Sequence, residues 1–152
     1  MKIPFSDIAF VVAQFVLIVV YFFEVSFLQI VFPELIFWTG LALLIFGAFI
    51  SLVAVLQLNI HLSPFPSPLP GSKLIQTGIF KFVRHPIYTG VFLSMFGFGI
   101  LYDSGYKLII SLLLLILFYF KSIYEEIRLT EIFPEYPEYA RYTGRFFPRI
   151  FK

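Results

Sequence analysis

Four long apolar runs occupy most of the chain, and their lengths constrain its fold more than any other feature. A helix needs roughly 20 apolar residues to cross the hydrocarbon core of a bilayer. The runs at 8–32, 35–58, 87–102 and 106–120 therefore predict about four transmembrane helices. With 60% hydrophobic and only 13% charged residues, the chain is also more apolar than soluble domains are. We expect an all-α, multi-pass integral membrane protein.

The breaks between the runs carry signals that end helices. Pro33 ends the first run, because proline cannot continue a helical hydrogen-bond ladder, and a turn at 103–105 separates the last two runs. The last helix should continue past the membrane surface through Glu131, since no breaker precedes Pro134. Four alternating prolines forbid a helix in the loop at 59–78. We divide the chain accordingly into an N-terminal helix pair (1–58) and a core (59–152).

The basic residues predict the orientation in the membrane. If four helices span, every lysine and arginine except Lys107 falls on the same side. Cytoplasmic loops carry an excess of these residues. We therefore expect both termini, the proline-rich loop and the functional site to face the cytoplasm.

Several classes of site and partner are disfavoured by composition. The chain has no cysteine, which excludes disulfides, zinc–thiolate sites and a cysteine nucleophile. His61 and His85 are the only histidines, so we expect no metal. The net charge of +2 is small and the basic residues are scattered, so we expect no nucleic-acid partner.

Ionisable residues lie at membrane depth in three places, and their cost there makes a functional site the default hypothesis. These places are the sequence Arg84-His85-Pro86, the group Lys121, Glu125 and Glu126, and Glu24 within the first run. For Glu24, a hydrogen bond between helices is the simpler interpretation. For His85, a packed side chain and a ligand contact both remain open, and Pro86 would leave neighbouring amides free for a ligand.

The end of the fourth helix also allows two interpretations. Lys121 and Glu125 stand four residues apart and share a helix face, which fits either an interfacial ion pair or a site. Glu126 points about 100° away from Glu125, so the two carboxylates cannot serve one pocket equally.

Three motifs in a fixed order carry a family resemblance. The chain reads L-I-x-T-G-I-F-x-x-V-R-H-P-I-Y-T-G from Leu74, K-x-x-x-E-E-x-x-L-x-x-x-F-P-x-Y-x-x-Y from Lys121, and R-F-F-P from Arg145. This combination resembles the isoprenylcysteine carboxyl methyltransferase family, whose wider group includes the membrane phospholipid N-methyltransferases. The resemblance covers about residues 63–150.

The resemblance implies a membrane methyltransferase that uses S-adenosylmethionine. The cofactor pocket would lie on the cytoplasmic side, enclosed by the loop before the third helix and by the C-terminal helix. Carried over motif by motif, the cofactor contacts are Ser72, Lys73, Leu74, Ile75, Phe80, His85, Pro86, Ile87, Tyr88 and Glu125. Phe80 stands where the family often has tyrosine, so ring packing is kept there and a hydroxyl contact is lost.

Lys121 stands where the family's prenylcysteine enzymes hold the substrate carboxylate with an arginine. Lysine keeps the charge but lacks the bidentate fork of arginine. We expect Lys121, Glu126 and Arg84 to act as catalytic residues on a lipid-like or prenylated acceptor, by carboxyl O-methylation. The alternative within this class is phospholipid N-methylation, in which Glu126 or His85 would accept the amine proton.

A different class of function is also open, a non-enzymatic membrane scaffold or small transporter subunit. That alternative predicts polar residues along the middle of several membrane helices. In this chain the polar residues gather at one end, which favours the enzyme.

Overall fold

The structure is a computed structural model that describes residues 4–25, 28–59, 63–68 and 71–149. Its α-helices are α1 (Phe5–Tyr21), α2 (Glu34–Leu58), α3 (Pro86–Leu101), α4 (Gly105–Ile132) and α5 (Tyr136–Tyr142), with a 3-10 helix at Gly78–Lys81. Within these described ranges there is no named strand, only isolated bridges. The prediction of an all-α fold is confirmed.

Two of these helices, α2 and α4, are long and apolar enough to cross a membrane. The apolar helices α1 and α3 have 17 and 16 residues, which corresponds to about 25 Å of helix against roughly 30 Å of hydrocarbon. Large apolar side chains such as Phe15, Phe46 and Ile116 are exposed on the outside of the helices, as contact with lipid requires. These features support membrane association, while four spans and the cytoplasmic orientation stay predictions.

The helices α2 and α4 begin and end close to where the sequence places them. Pro33 directly precedes α2, which ends at Leu58. The side chain of Ser104 caps α4 by accepting a hydrogen bond from the backbone amide of Lys107 (3.3 Å). α4 then continues to Ile132, as the absence of an earlier helix breaker predicts.

The first helix ends at Tyr21, so the prediction of a single span over 8–32 is wrong. The Lys107 ammonium donates a hydrogen bond to the Tyr21 carbonyl (2.9 Å) and lies 4.8 Å from the centre of the Tyr21 ring. A cation at a helix C-terminus is favourable, and here it satisfies a carbonyl that the helix leaves unpaired. Glu24 consequently lies beyond α1 and is exposed, so its predicted place inside a span is wrong as well.

The helices pack in the order α2, α3, α4, α1. The approach of α2 to α3 is close because glycines seven residues apart face each other. A Cβ on Gly47 would lie 2.5 Å from the Gly90 carbonyl, and one on Gly97 would lie 2.5 Å from the Gly40 carbonyl. Small residues allow this approach between apolar helices. The packing brings the start of α3 beside the C-terminal half of α4.

Candidate functional site

One cavity of about 390 Å³ lies where the proline-rich loop, the start of α3, the C-terminal half of α4 and α5 meet. Its volume is typical of small-molecule sites. All ten residues predicted to contact the cofactor line this cavity, and so do Lys121 and Arg84. Glu126 is not among the described residues that line it, which agrees with the roughly 100° between Glu125 and Glu126. The contacts with a cofactor themselves stay predictions.

Other lining residues were not predicted from the sequence. They come from α1, α2, the loop, α4 and α5 and are Gln14, Val55, Leu58, Ser63, Pro64, Phe65, Pro66, Ser67, Pro68, Leu129, Phe133, Tyr136 and Tyr139. A signal for Gln14 does exist, since it is a polar residue inside an apolar run. The motif F-P-x-Y-x-x-Y marks Phe133, Tyr136 and Tyr139.

Lys121 is buried in the wall of the cavity, with 1% of its surface exposed. Its ammonium donates hydrogen bonds to the side-chain oxygen of Gln14 (2.7 Å) and the carbonyl of Pro64 (2.8 Å), and lies 5.3 Å from the centre of the Tyr88 ring. Within the described part of the chain it forms no ion pair with Glu125. Neutral oxygens therefore hold the ammonium, and its charge is not cancelled by a bonded carboxylate.

Glu125 faces the cavity and is linked to the start of α3. Its Oε2 accepts a hydrogen bond from the Tyr88 hydroxyl (2.8 Å), and a quarter of its side chain is exposed. The ring of His85 stacks on Tyr88 with 5.3 Å between centres. His85 Nδ1 lies 3.7 Å from Glu125, while His85 Nε2 lies 3.0 Å from Glu126 Oε1, so the imidazole sits between the two carboxylates.

Glu126 is the centre of a cluster of ionic contacts beside the cavity. Its carboxylate accepts hydrogen bonds from Arg84 Nε (3.0 Å) and Arg145 Nη2 (2.8 Å), in addition to the contact with His85. The Arg84 guanidinium also donates to carbonyls at the C-terminal end of α5. Charge-assisted hydrogen bonds of this kind are strong. The cluster therefore ties the start of α3, α4 and the C-terminal tail to one another.

The C-terminal tail runs beside the segment that precedes α3. The Arg84 amide donates to the Gly144 carbonyl (2.8 Å), and the His85 amide donates to the Arg145 carbonyl (3.1 Å). The prediction that Pro86 leaves neighbouring amides free for a ligand is therefore wrong for these two. Their partners lie about 60 positions later in the chain, so local sequence holds no sign of them.

Two tyrosines of α5 line the cavity. The Tyr139 hydroxyl donates to the carbonyl of Phe80 (2.6 Å), and burial raises the pKa of Tyr139 to about 12. Tyr136 is also buried, which raises its pKa further above the usual value. Both phenols therefore stay protonated at physiological pH and can donate hydrogen bonds.

Comparison with known families decides the broad class of the protein. A family model described as phospholipid methyltransferase matches residues 35–136, about two thirds of the chain. The chain belongs to the phospholipid methyltransferase family. The match contains Lys121, Glu125 and every predicted cofactor contact, and it confirms the resemblance that the motifs carry. Together with the apolar helices, membership indicates a membrane methyltransferase.

Two curated proteins are similar to part of this family member. Nickel-cobalt-cadmium resistance protein NccN of Alcaligenes xylosoxydans xylosoxydans is 36% identical over 80 residues, covering 52% of this chain and 38% of NccN. Cobalt-zinc-cadmium resistance protein CzcN of Cupriavidus metallidurans is 36% identical over 80 residues, covering 52% of this chain and 37% of CzcN. The alignments thus span less than two fifths of each relative.

The names of both relatives refer to resistance to metal ions. Among the described residues, no three or more Asp, Glu or His side chains cluster so that they could hold a metal ion. The second histidine, His61, lies outside the described residues.

Proposed function

We propose that the chain transfers a methyl group from S-adenosylmethionine to the carboxylate of a lipid-like acceptor, such as a prenylated one. The observation that carries this proposal is the Lys121 ammonium in the cavity wall, held by Gln14 and Pro64 through neutral oxygens. An ammonium has three N–H donors, and the two contacts leave one for an acceptor group. The carboxylates of Glu125 and Asp7 act on this ammonium through space without bonding to it, so a direct ionic partner is what an anionic acceptor would add.

The cavity walls fit the proposed cofactor in size and chemistry. A volume of about 390 Å³ suits a small molecule, and the aromatic rings and the exposed part of Glu125 offer stacking and polar contacts. When bound, S-adenosylmethionine supplies an electrophilic methyl group on a sulfonium. The task of the residues is then to hold the acceptor oxygen in line with that methyl group. Positioning of this kind contributes about 7–11 kcal/mol to a reaction barrier.

A carboxylate acceptor also agrees with the hydrogen bonds that the candidate base Glu126 already forms within the protein. A carboxylate is already ionised at pH 7 and needs no base to remove a proton. Glu126 is bonded to Arg84, His85 and Arg145, so it is committed to holding the structure together. We therefore propose that Arg84 and Glu126 position the start of α3 and the tail, and that Lys121 is the residue that touches the acceptor.

Phospholipid N-methylation is the second candidate, and the description of the matching family favours it. In that reaction Lys121 would bind the phosphate of the lipid headgroup. The amine must lose a proton, and Glu125, the carboxylate that lines the cavity among the described residues, would accept it.

Binding and transfer experiments on the purified full chain in detergent distinguish these outcomes. Calorimetric titration with S-adenosylhomocysteine tests the cofactor site first. Transfer of a tritiated methyl group is then measured with vesicles that contain either an N-acyl S-prenylcysteine or phosphatidylethanolamine. Label that alkali releases as methanol identifies a methyl ester and supports the proposal, while alkali-stable label in the phospholipid supports N-methylation. A chain that binds no S-adenosylhomocysteine and transfers no label overturns both and favours a non-enzymatic scaffold or transporter subunit.

A further inference from the structure

Asp7 is the only charged residue of α1, and it is buried, with 1% of its surface exposed. An acidic residue in the first turn of a helix is common because it complements the helix dipole. The described contacts of Asp7 show more than that, because its Oδ2 accepts a hydrogen bond from the backbone amide of Ser67 (3.2 Å), 60 positions later in the chain. Its Oδ1 is buried without a hydrogen-bond partner among the described residues. Burying a carboxylate in this way costs free energy, so the contact with Ser67 needs a reason.

Ser67 belongs to the described part of the proline-rich loop, residues 63–68, which we call the proline segment and which lines the cavity. Its three prolines carry no amide hydrogen, so two backbone donors remain after Ser63. The Phe65 amide donates to the side-chain oxygen of Ser63 (3.1 Å), and the Ser67 amide donates to Asp7. Extended proline-rich backbone forms no hydrogen bonds along itself. Contacts with other elements therefore determine where the proline segment lies.

The proline segment is also linked to Lys121. The ammonium of Lys121 donates to the carbonyl of Pro64 (2.8 Å) and to the side-chain oxygen of Gln14 (2.7 Å). Asp7 and Gln14 stand seven residues apart on α1, which is about two turns, so they share one face of that helix. This face of α1 thus holds the proline segment at two points, directly through Asp7 and indirectly through Lys121.

We infer that Asp7 is a positioning residue, which holds the proline segment against α1 and thereby keeps the Pro64 carbonyl at Lys121 on the acceptor side of the cavity. The inference rests on the proposed function, in which Lys121 touches the acceptor. Asp7 precedes the region that matches the family, 35–136, and no motif assigns it a role. Among the described residues it does not line the cavity, so it acts through the proline segment and not on a ligand.

The first test compares Asp7→Leu with Asp7→Asn by hydrogen–deuterium exchange on the full chain in detergent. Leucine has the same branched shape but accepts no hydrogen bond, whereas asparagine loses the charge and keeps an oxygen for the Ser67 amide. That amide should be protected in the wild type and in Asp7→Asn, and should exchange about tenfold faster or more in Asp7→Leu. Since proline has no amide, exchange across the proline segment reports on Ser63, Phe65 and Ser67 alone. Ser6→Leu, at the exposed neighbouring position, is the matched control and should change nothing.

The second test separates the acceptor from the cofactor. Methyl transfer is measured on vesicles with whichever acceptor the wild type uses, an N-acyl S-prenylcysteine or phosphatidylethanolamine. In Asp7→Leu, kcat/KM for that acceptor should fall about tenfold, while calorimetric affinity for S-adenosylhomocysteine stays nearly the same. Asp7→Asn should restore most of the turnover. A residue that served only the stability of the fold would not produce this selective loss and rescue.

Several results would overturn the inference. An unprotected Ser67 amide in the wild type, or equal exchange in Asp7→Leu, shows that Asp7 does not hold the proline segment. Turnover that falls as far in Asp7→Asn as in Asp7→Leu assigns the effect to the charge and not to the hydrogen bond. If Asp7→Leu does not fold, exchange in the wild type and in Asp7→Asn decides. A wild type that methylates neither acceptor overturns the proposed function, whereas an active wild type with an unaffected Asp7→Leu overturns this inference alone.

Discussion

The ammonium of Lys121 lies 2.7 Å from the side-chain oxygen of Gln14, so α1 and α4 meet in the wall of the cavity through a polar contact. Gln14 precedes the region that matches the family, 35–136, whereas Lys121 lies inside it. An amide oxygen holds an ammonium without cancelling its charge. The first helix therefore contributes to the chemistry of the cavity as well as to its packing.

Replacing Gln14 by glutamate should cancel the charge that the acceptor needs. The new carboxylate would stand at hydrogen-bond distance from Lys121, where opposite charges attract by several kcal/mol. We expect kcat/KM for a carboxylate acceptor to fall at least about tenfold, with little change in affinity for S-adenosylhomocysteine. Gln57→Glu is the matched control, because Gln57 lies outside the cavity lining and its side-chain oxygen can still accept from the Ile79 amide. Unchanged acceptor turnover in Gln14→Glu would contradict the charge argument.

Lys121→Met should separate acceptor turnover from cofactor binding. The variant leaves the oxygens of Gln14 and Pro64 without their donor, which costs about 1–3 kcal/mol of stability. If Lys121 touches the acceptor, turnover falls by orders of magnitude while affinity for S-adenosylhomocysteine stays nearly the same. Calorimetry and methyl-transfer rates on the folded variant measure the two effects. Equal losses in both would place Lys121 in the cofactor site or in the fold.

Cysteine labelling tests the predicted orientation, because the chain has no native cysteine. Lys73 is exposed in the loop that lines the cavity, and Tyr102 is exposed in the turn between α3 and α4. In intact cells, an impermeant maleimide should react with Tyr102→Cys and should reach Lys73→Cys only after the membrane is opened. The reverse pattern would place the cavity on the outside.

The sequence locates α2 and α4 because their start and stop signals lie next to their apolar runs. Pro33 precedes α2, and the turn at 103–105 precedes α4. The end of α1 is different, since the contact found there is with Lys107, whose ammonium donates to the Tyr21 carbonyl 86 positions earlier in the chain. A continuous apolar run does not indicate such a distant contact, so the predicted span at 8–32 is longer than α1.

The same holds for the candidate site: local motifs predict some of its residues, and contacts between distant residues determine the rest. Motifs that are compact in sequence bring His85, Tyr88 and Glu125 to one cavity, as the resemblance implies. Gln14 contacts Lys121, which lies 107 positions later in the chain, and Arg145 contacts Glu126, which lies 19 positions earlier. No local motif encodes these contacts. For the same reason, the sequence does not predict that Glu126 bonds to Arg84, His85 and Arg145.

Glu126→Gln should destabilise the chain and thereby distinguish a positioning role from a catalytic one. The substitution leaves the guanidinium groups of Arg84 and Arg145 without their shared counter-charge, which should cost about 3 kcal/mol. Thermal unfolding in detergent measures this loss. Glu131→Gln is the control, since its pair with Arg128 is exposed and should contribute little. If Glu126→Gln is as stable as the parent and yet loses turnover, Glu126 acts on the reacting groups.

Gly47→Ala should disturb the site from a distance, through the packing of α2 on α3. The added Cβ would lie 2.5 Å from the Gly90 carbonyl and 2.6 Å from the Ser94 amide, both of which are backbone atoms of α3. The helices must move apart, and such overpacking costs about 1–3 kcal/mol. Because Gly90 lies in the first turns of α3, the shift reaches Tyr88 and should also weaken S-adenosylhomocysteine binding. Ala48→Leu adds more volume on the exposed face of α2 and should alter neither Tm nor affinity. Parental values of both in Gly47→Ala would show that the helices are not in such close contact.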